Sequence, residues 1–256
     1  MLRLSDLVKV CWGAAALLAF SGASFAGEGA VTANITNGKN IFENGKPDGS
    51  VAACSGCHGE KAMGMDAMGT PRLANIGYAY VVKQLTNFAE GKRVAPGLGE
   101  AMTGFAKALT EQEKRDVAAY VTTLPANSEP SDLKALKEGG TAIGESYKGQ
   151  ILVRYGVEGK VSACVSCHGY NGRGADPVYP KIGGQKYVYL TNQLAHWRDG
   201  SRANDPMGQM RAIAKNLTDE DINNIATYLV TAKDSSEGDG MNVSNETSMK
   251  DIKIVK

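Results

Sequence analysis

One six-residue pattern occurs twice in this chain and takes up four of its five cysteines. The first copy, from Cys54 to His58 and the glycine after it, reads CSGCHG, and the second, from Cys164 to His168 and its glycine, reads CVSCHG. The fifth cysteine, Cys11, lies in an apolar N-terminal run. No pair of cysteines is left for a disulfide framework, so the fold has to be organised around two CxxCH sites.

The N-terminus has the pattern of a secretory signal. Arg3 and Lys9 accompany an apolar run over residues 10–20, and small residues follow as far as Ala26. The run is shorter than the roughly 20 apolar residues that a membrane-spanning helix needs. We therefore expect residues 1–26 to be cleaved off rather than kept as an anchor, and no later segment is apolar enough to span a membrane.

The exported chain is expected to be electrically neutral. The full sequence has a formal net charge of +1, and cleavage removes Arg3 and Lys9 but only one acidic residue, Asp6, so the charge falls to zero. A neutral chain without a run of basic residues argues against nucleic acid as a partner.

A histidine directly after the second cysteine distinguishes among the uses of CxxC. CxxCH is the attachment signature of haem c, in which both thiols bond the porphyrin and the histidine ligates its iron. Two alternatives are a zinc cage built from both cysteine pairs, which would need an unusually long spacing, and a thioredoxin-like redox pair, for which strand–helix alternation is missing. We expect two covalent haem c groups, with thioether bonds and proximal iron ligands at Cys54, Cys57, His58, Cys164, Cys167 and His168.

The two motifs belong to a long internal repeat. Cys54 matches Cys164 at an offset of 110 residues, and Tyr120 matches Tyr228 at an offset of 108. Each unit has about a hundred residues, so a buried porphyrin would add much of the apolar volume that a small domain lacks. Since no segment alternates well enough to predict a strand, the expected fold is all-α.

Helical periodicity predicts two helices in each unit. One has its apolar face on residues from Tyr78 to Phe88 and ends at Gly91, and its copy begins at Tyr187 and ends at Gly200. The other opens on a threonine followed three residues later by an acid, which is the pattern of a capping box; the two pairs are Thr110 with Glu113 and Thr218 with Asp221.

Candidates for the sixth iron ligand must occur at matching places in both units. Met102 and Met210 match at an offset of 108, and each stands seven residues before a leucine that leads into the capped helix. A thioether is a soft ligand that favours ferrous iron. The other candidates have no equivalent in the other unit and are interpreted as packing, loop or solvated residues: Met63, Met65, Met68, Met207 and His196.

Two further matched pairs have open interpretations. Pro71 and Pro180 follow the motifs, and their carbonyls could accept the second ring N–H of the proximal histidines, or they could be simple loop prolines. Arg93 and Arg202 each follow a helix-ending glycine, where they could pair with haem propionates or face water.

These motifs resemble the dihaem cytochrome c4 family over most of the mature chain, from Cys54 to Leu124 and from Cys164 to Leu229. Besides CxxCH and the methionine stretches, the matched features are the turns PRL and PKI, the YxxxQL helices and the GxR segments. The resemblance implies two tandem class I cytochrome c domains, each wrapped around one haem, related by a pseudo-twofold axis with adjacent haem edges. Its domain boundaries are a signal at 1–26, domain 1 at 27–130, domain 2 at 131–233 and a disordered polar tail at 234–256, with a linker over 125–140.

The resemblance also implies a function. Such proteins transfer electrons in the periplasm from quinol-oxidising complexes or dehydrogenases to terminal oxidases, so redox proteins of the membrane are the expected partners. A membrane-associated location is an alternative to a free periplasmic one. Alternative functions are the haem subunit of a dehydrogenase complex or, as an enzyme, a dihaem peroxidase or thiosulfate dehydrogenase. Matched methionines at Met102 and Met210 oppose the enzyme, because they would close both irons.

Overall fold

A computed structural model describes residues 32–94, 96–126 and 129–232, and its regular elements are helices. The first half contains α1 (Ile35–Asn44), α2 (Ser55–His58), α3 (Tyr78–Ala89), α4 (Ala101–Ala108) and α5 (Glu111–Thr123). The second half contains α6 (Leu133–Glu138), α7 (Ser146–Tyr155), α8 (Val165–His168), α9 (Tyr187–Asp199), α10 (Gln209–Ala214) and α11 (Asp219–Thr231). The expected signal at 1–26 and tail at 234–256 lie outside the described residues.

Local sequence signals fix the ends of the long helices. Thr110 caps α5, because its side chain accepts the backbone N–H of Glu113 while the Glu113 carboxylate accepts that of Thr110. Thr218 and Asp221 form the same capping box at the start of α11. At the far end of α9, Gly200 takes a left-handed conformation that terminates the helix.

The first and last long helices of each half cross at a glycine. A Cβ atom on Gly38 in α1 would lie 2.0 Å from the backbone oxygen of Asp116 in α5, and one on Gly149 in α7 would lie 1.9 Å from that of Asn224 in α11. Beside the first crossing the rings of Phe42 and Tyr120 pack at a centroid distance of 5.5 Å. The absence of a side chain therefore lets the two backbones touch in both halves.

Each half has its own hydrophobic core. In the first, Phe42, Val121 and their neighbours are buried, and in the second Tyr187 and Leu229 lie at the centre. Within the described ranges only isolated β-bridges occur and no strands, so the all-α prediction is confirmed.

The segment predicted as a linker contains a helix. Asp132 accepts the backbone N–H of Ala135 and so caps α6. Leu133 and Leu136 on this helix pack against the second core. The connection is therefore partly folded onto the domain that follows it.

No helix among residues 32–94, 96–126 and 129–232 is both long and apolar enough to cross a membrane. The signal segment lies outside these ranges, so its cleavage stays a prediction.

We predict that Gly38→Ala lowers the free energy of unfolding by about 3 kcal/mol, because the new methyl group overlaps a backbone carbonyl that cannot move without separating α1 from α5. Gly149→Ala should act equally on the second half. Thr36→Ala, on the exposed side of α1, is the control and should change stability by no more than about 0.5 kcal/mol. Denaturant unfolding followed by circular dichroism measures all three; equal effects of Gly38→Ala and Thr36→Ala would contradict the close crossing.

Candidate haem sites

Each CxxCH motif folds into one helical turn. Cys54 is the N-cap of α2, and its carbonyl accepts the backbone N–H groups of Cys57 at 3.2 Å and His58 at 2.9 Å. α8 repeats this arrangement with Cys164 as its N-cap. A turn of this kind places thiols three residues apart on the same side of the backbone.

Before thioether bonds form, the four motif cysteines are partly buried thiols, and no disulfide joins them. Burial raises the pKa of Cys54 and of Cys164 to about 11, so both stay protonated at neutral pH. Buried neutral thiols make poor nucleophiles for disulfide exchange, which argues against the thioredoxin-like alternative.

Both motif histidines are buried and held by the same kind of hydrogen bond. The Nδ1 atom of His58 lies 3.0 Å from the carbonyl oxygen of Pro71, and Nδ1 of His168 lies 2.9 Å from that of Pro180. With Nδ1 donating to a carbonyl, the tautomer leaves the lone pair on Nε2, the nitrogen that binds a metal. Burial lowers the pKa of both rings and favours this neutral form. The carbonyl interpretation of the two prolines is confirmed.

The two methionines predicted as sixth ligands occupy equivalent helix positions. Met102 is the second residue of α4 and Met210 the second residue of α10, and both are partly buried. Their helices pack on α3 and α9 respectively, which are themselves equivalent. The unmatched methionines differ in place: Met63 is buried in the first core, whereas Met207 is 90% exposed.

Arg93 and Arg202 are buried, so neither faces water. Arg93 donates to Gln84 at 2.8 Å, and Arg202 donates to Gln193 at 2.6 Å. Among the residues that the structure describes, neither guanidinium forms an ion pair. Buried cations need a negative partner, which the propionates of a haem would supply.

The residues present therefore fit two haem groups. Cys54, Cys57, Cys164 and Cys167 would form the thioether bonds, and the Nε2 atoms of His58 and His168 would face iron. No group of three or more His, Cys, Asp or Glu side chains in the described ranges could hold a bare metal ion. Since all four motif cysteines lie in those ranges, the four-thiolate zinc cage is excluded.

Comparison with known proteins agrees with this geometry. A family model described as cytochrome c matches residues 35–125 and 158–233, one copy in each half. The solved cytochrome c4 of Pseudomonas stutzeri superimposes with a TM-score of 0.62 at 27% identity, over 79% of this chain and all of that one. The chain belongs to the dihaem cytochrome c4 family. It is a dihaem electron carrier, and its domains covalently bind haem c.

Two other similar proteins have names that refer to thiosulfate. The thiosulfate dehydrogenase electron acceptor of Stutzerimonas stutzeri strain A1501 is 35% identical over 206 residues, which are 80% of this chain and 91% of that protein. A solved thiosulfate dehydrogenase from Marichromatium purpuratum matches with a TM-score of 0.68 and 32% identity over 78% of this chain. The match spans only 40% of that longer chain.

Sequence reasoning missed the role of the YxxxQL helices. It treated Tyr80, Gln84, Tyr189 and Gln193 only as support for the family resemblance, whereas the structure places all four side chains around Arg93 and Arg202. A signal was present, since the motif and the arginine recur together in both units. It could not show that the contacts cross from one domain to the other.

We predict that the unfolded chain keeps the mass of two haem groups after extraction with acidified acetone. Thioether bonds survive this treatment, whereas haem held only by iron ligation is washed out. Replacing Cys164 and Cys167 together by alanine should leave one retained haem, and the control Ser166→Ala, between the same two cysteines, should leave two. Intact-mass spectrometry measures the difference. A wild-type chain that loses its porphyrin would contradict covalent attachment.

Proposed function

We propose that this dihaem cytochrome accepts electrons from a thiosulfate-oxidising dehydrogenase in the periplasm and passes them to a terminal oxidase. Similarity to the named electron acceptor over 91% of its length supports the donor. The N-terminal signal supports export. With two haems the chain can carry two electrons, one on each iron.

The observation that carries the proposal is the equivalent placement of two histidine–methionine pairs. His58 with Met102, and His168 with Met210, would each give an iron two protein ligands and leave no open coordination position. A closed iron exchanges electrons but does not bind substrate. The chain then carries electrons without turning over a substrate of its own.

A role as the haem subunit of a dehydrogenase complex is the second candidate. It is favoured by the solved thiosulfate dehydrogenase in which the matched region is part of a longer chain. In that case the electron path is the same, but the donor stays bound between turnovers.

We predict that Met102→His lowers the midpoint potential of one haem by ~0.2 V and leaves that of the other haem nearly unchanged. This shift is a fraction of the roughly 0.8 V range of potentials that axial ligands cover. Imidazole stabilises ferric iron more than a thioether does. Met210→His should act on the other haem. Met207→His is the matched control for Met210→His, because Met207 lies three residues before Met210 and its side chain is 90% exposed. Spectroelectrochemical titration gives both potentials. An unchanged pair of potentials in Met102→His would contradict methionine ligation.

We predict that thiosulfate alone leaves the ferric protein oxidised, and that adding a catalytic amount of a thiosulfate dehydrogenase reduces both haems. Anaerobic stopped-flow absorbance of the haem bands measures the reaction. Reduction by thiosulfate without the dehydrogenase, together with rapid binding of carbon monoxide to one ferrous haem, would contradict a closed carrier and favour the enzyme alternative. If a quinol-oxidising complex reduces the cytochrome but the thiosulfate dehydrogenase does not, only the proposed donor is contradicted.

A further inference from the structure

The two buried arginines lie where the two domains meet. Arg93 is 5% exposed and Arg202 is 4% exposed. Within its own domain each guanidinium stacks on an aromatic ring, Arg93 at 4.5 Å from the Phe88 centroid and Arg202 at 4.1 Å from that of Trp197. Their own-domain contacts differ at Nε, which in Arg202 also donates to Asn204 at 3.2 Å.

The remaining contacts cross to the opposite domain. Arg93 donates through Nη2 to the hydroxyl oxygen of Tyr189 at 3.1 Å and to Gln193 at 3.2 Å. Arg202 donates through Nη2 to the hydroxyl oxygen of Tyr80 at 3.1 Å. The two arginines also share an acceptor, because Nη1 of Arg202 donates to the same Gln193 oxygen as Arg93. A continuous chain of hydrogen bonds therefore links Arg93 to Arg202 through Gln193, and each guanidinium also holds a tyrosine of the opposite domain.

The chain of hydrogen bonds holds two positive charges and no carboxylate from the described residues. Its acceptors are tyrosine hydroxyls and amide oxygens, and the Nε atom of Arg93 is buried without a hydrogen-bond partner. An uncompensated buried guanidinium is strongly unfavourable, and an unsatisfied buried N–H adds to the cost. The two propionates of a haem would supply the carboxylates that the described residues do not place here.

We propose that Tyr80 and Tyr189 are positioning residues that act across the domain boundary. Each orients the arginine of the other domain, and that arginine pairs with the propionates of the haem in its own domain. Tyr189 in domain 2 thus adjusts the haem of domain 1, and Tyr80 in domain 1 adjusts the haem of domain 2. The inference needs two bound haems but not a particular electron donor.

The physical effect is on the midpoint potential. A negative propionate stabilises the extra positive charge of ferric iron. It does so less when a fixed guanidinium neutralises the propionate than when the propionate has no such partner. When the tyrosine hydroxyl is removed, the arginine loses a hydrogen bond and its fixed orientation. The affected haem should then be more easily oxidised.

The test is Tyr189→Phe in the full holoprotein. At a fixed applied potential, we expect the ferric-to-ferrous ratio of the haem in domain 1 to rise by two- to tenfold, tenfold being about 59 mV for one electron. The haem in domain 2 should change less. Tyr80→Phe should give the reverse pattern. Tyr187→Phe is the matched control, because Tyr187 lies in the same helix as Tyr189 and is buried, but its hydroxyl donates to Ala142 within domain 2.

The two haems can be distinguished by nuclear magnetic resonance during the redox titration. The His168 ring lies 5.9 Å from the ring of Tyr179, so a contact between their protons identifies the haem of domain 2. A larger shift in the haem of the mutated tyrosine's own domain, or no shift in either haem, would overturn the proposal. His168 signals without the strong displacement that haem ligation causes would instead count against the ligand assignment.

Discussion

The hydrogen bond between a buried imidazole and a proline carbonyl is the constraint on which each haem site depends. It fixes the ring of His58 at Pro71, and the loop between them is also closed by the backbone N–H of Gly64, which donates to the His58 carbonyl at 2.8 Å. Gly64 has a φ of 73°, and a Cβ there would lie 2.5 Å from the Pro71 carbonyl carbon. The His58 ring, the loop and the turn of the CxxCH motif therefore hold one another, and the helices pack around a segment whose local geometry is already set.

The sequence predicted those parts of the fold whose cause is local. The capping boxes at Thr110 and Thr218 give the starts of α5 and α11, and apolar spacing gives α3 and α9. It did not predict α1 or α7, because a glycine interrupts the pattern of each helix. That glycine, Gly38 or Gly149, has its explanation only in the helix that crosses it. α6 was also missed, because its leucines are partly buried only through contact with the second core.

At the candidate site, pattern matching could find what each domain needs for itself. The paired cysteines, histidines, prolines and methionines all recur at nearly constant offsets. Pattern matching could not show where the two units differ in their local contacts. In the first unit the Thr70 hydroxyl donates to the Cys57 carbonyl at 2.6 Å. The equivalent residue of the second unit is Tyr179, and its ring contacts His168. The surfaces diverge as well, with Tyr147 and Tyr155 exposed in α7 where α1 has Thr36 and Asn44. A single sequence does not show what such differences are for.

Two buried arginines, which have no acidic partner among the described residues, also bear on assembly. Removing a charged side chain from water costs several kcal/mol unless a compensating charge and hydrogen bonds are supplied. Gln84, Gln193 and the two tyrosines supply hydrogen bonds to Arg93 and Arg202 but no negative charge. If haem propionates pair with these arginines as proposed, the contact between the domains is less favourable before haem attachment than after it. Because the missing charge arrives with both porphyrins, the same groups that give the protein its redox chemistry also stabilise the arrangement of its two halves.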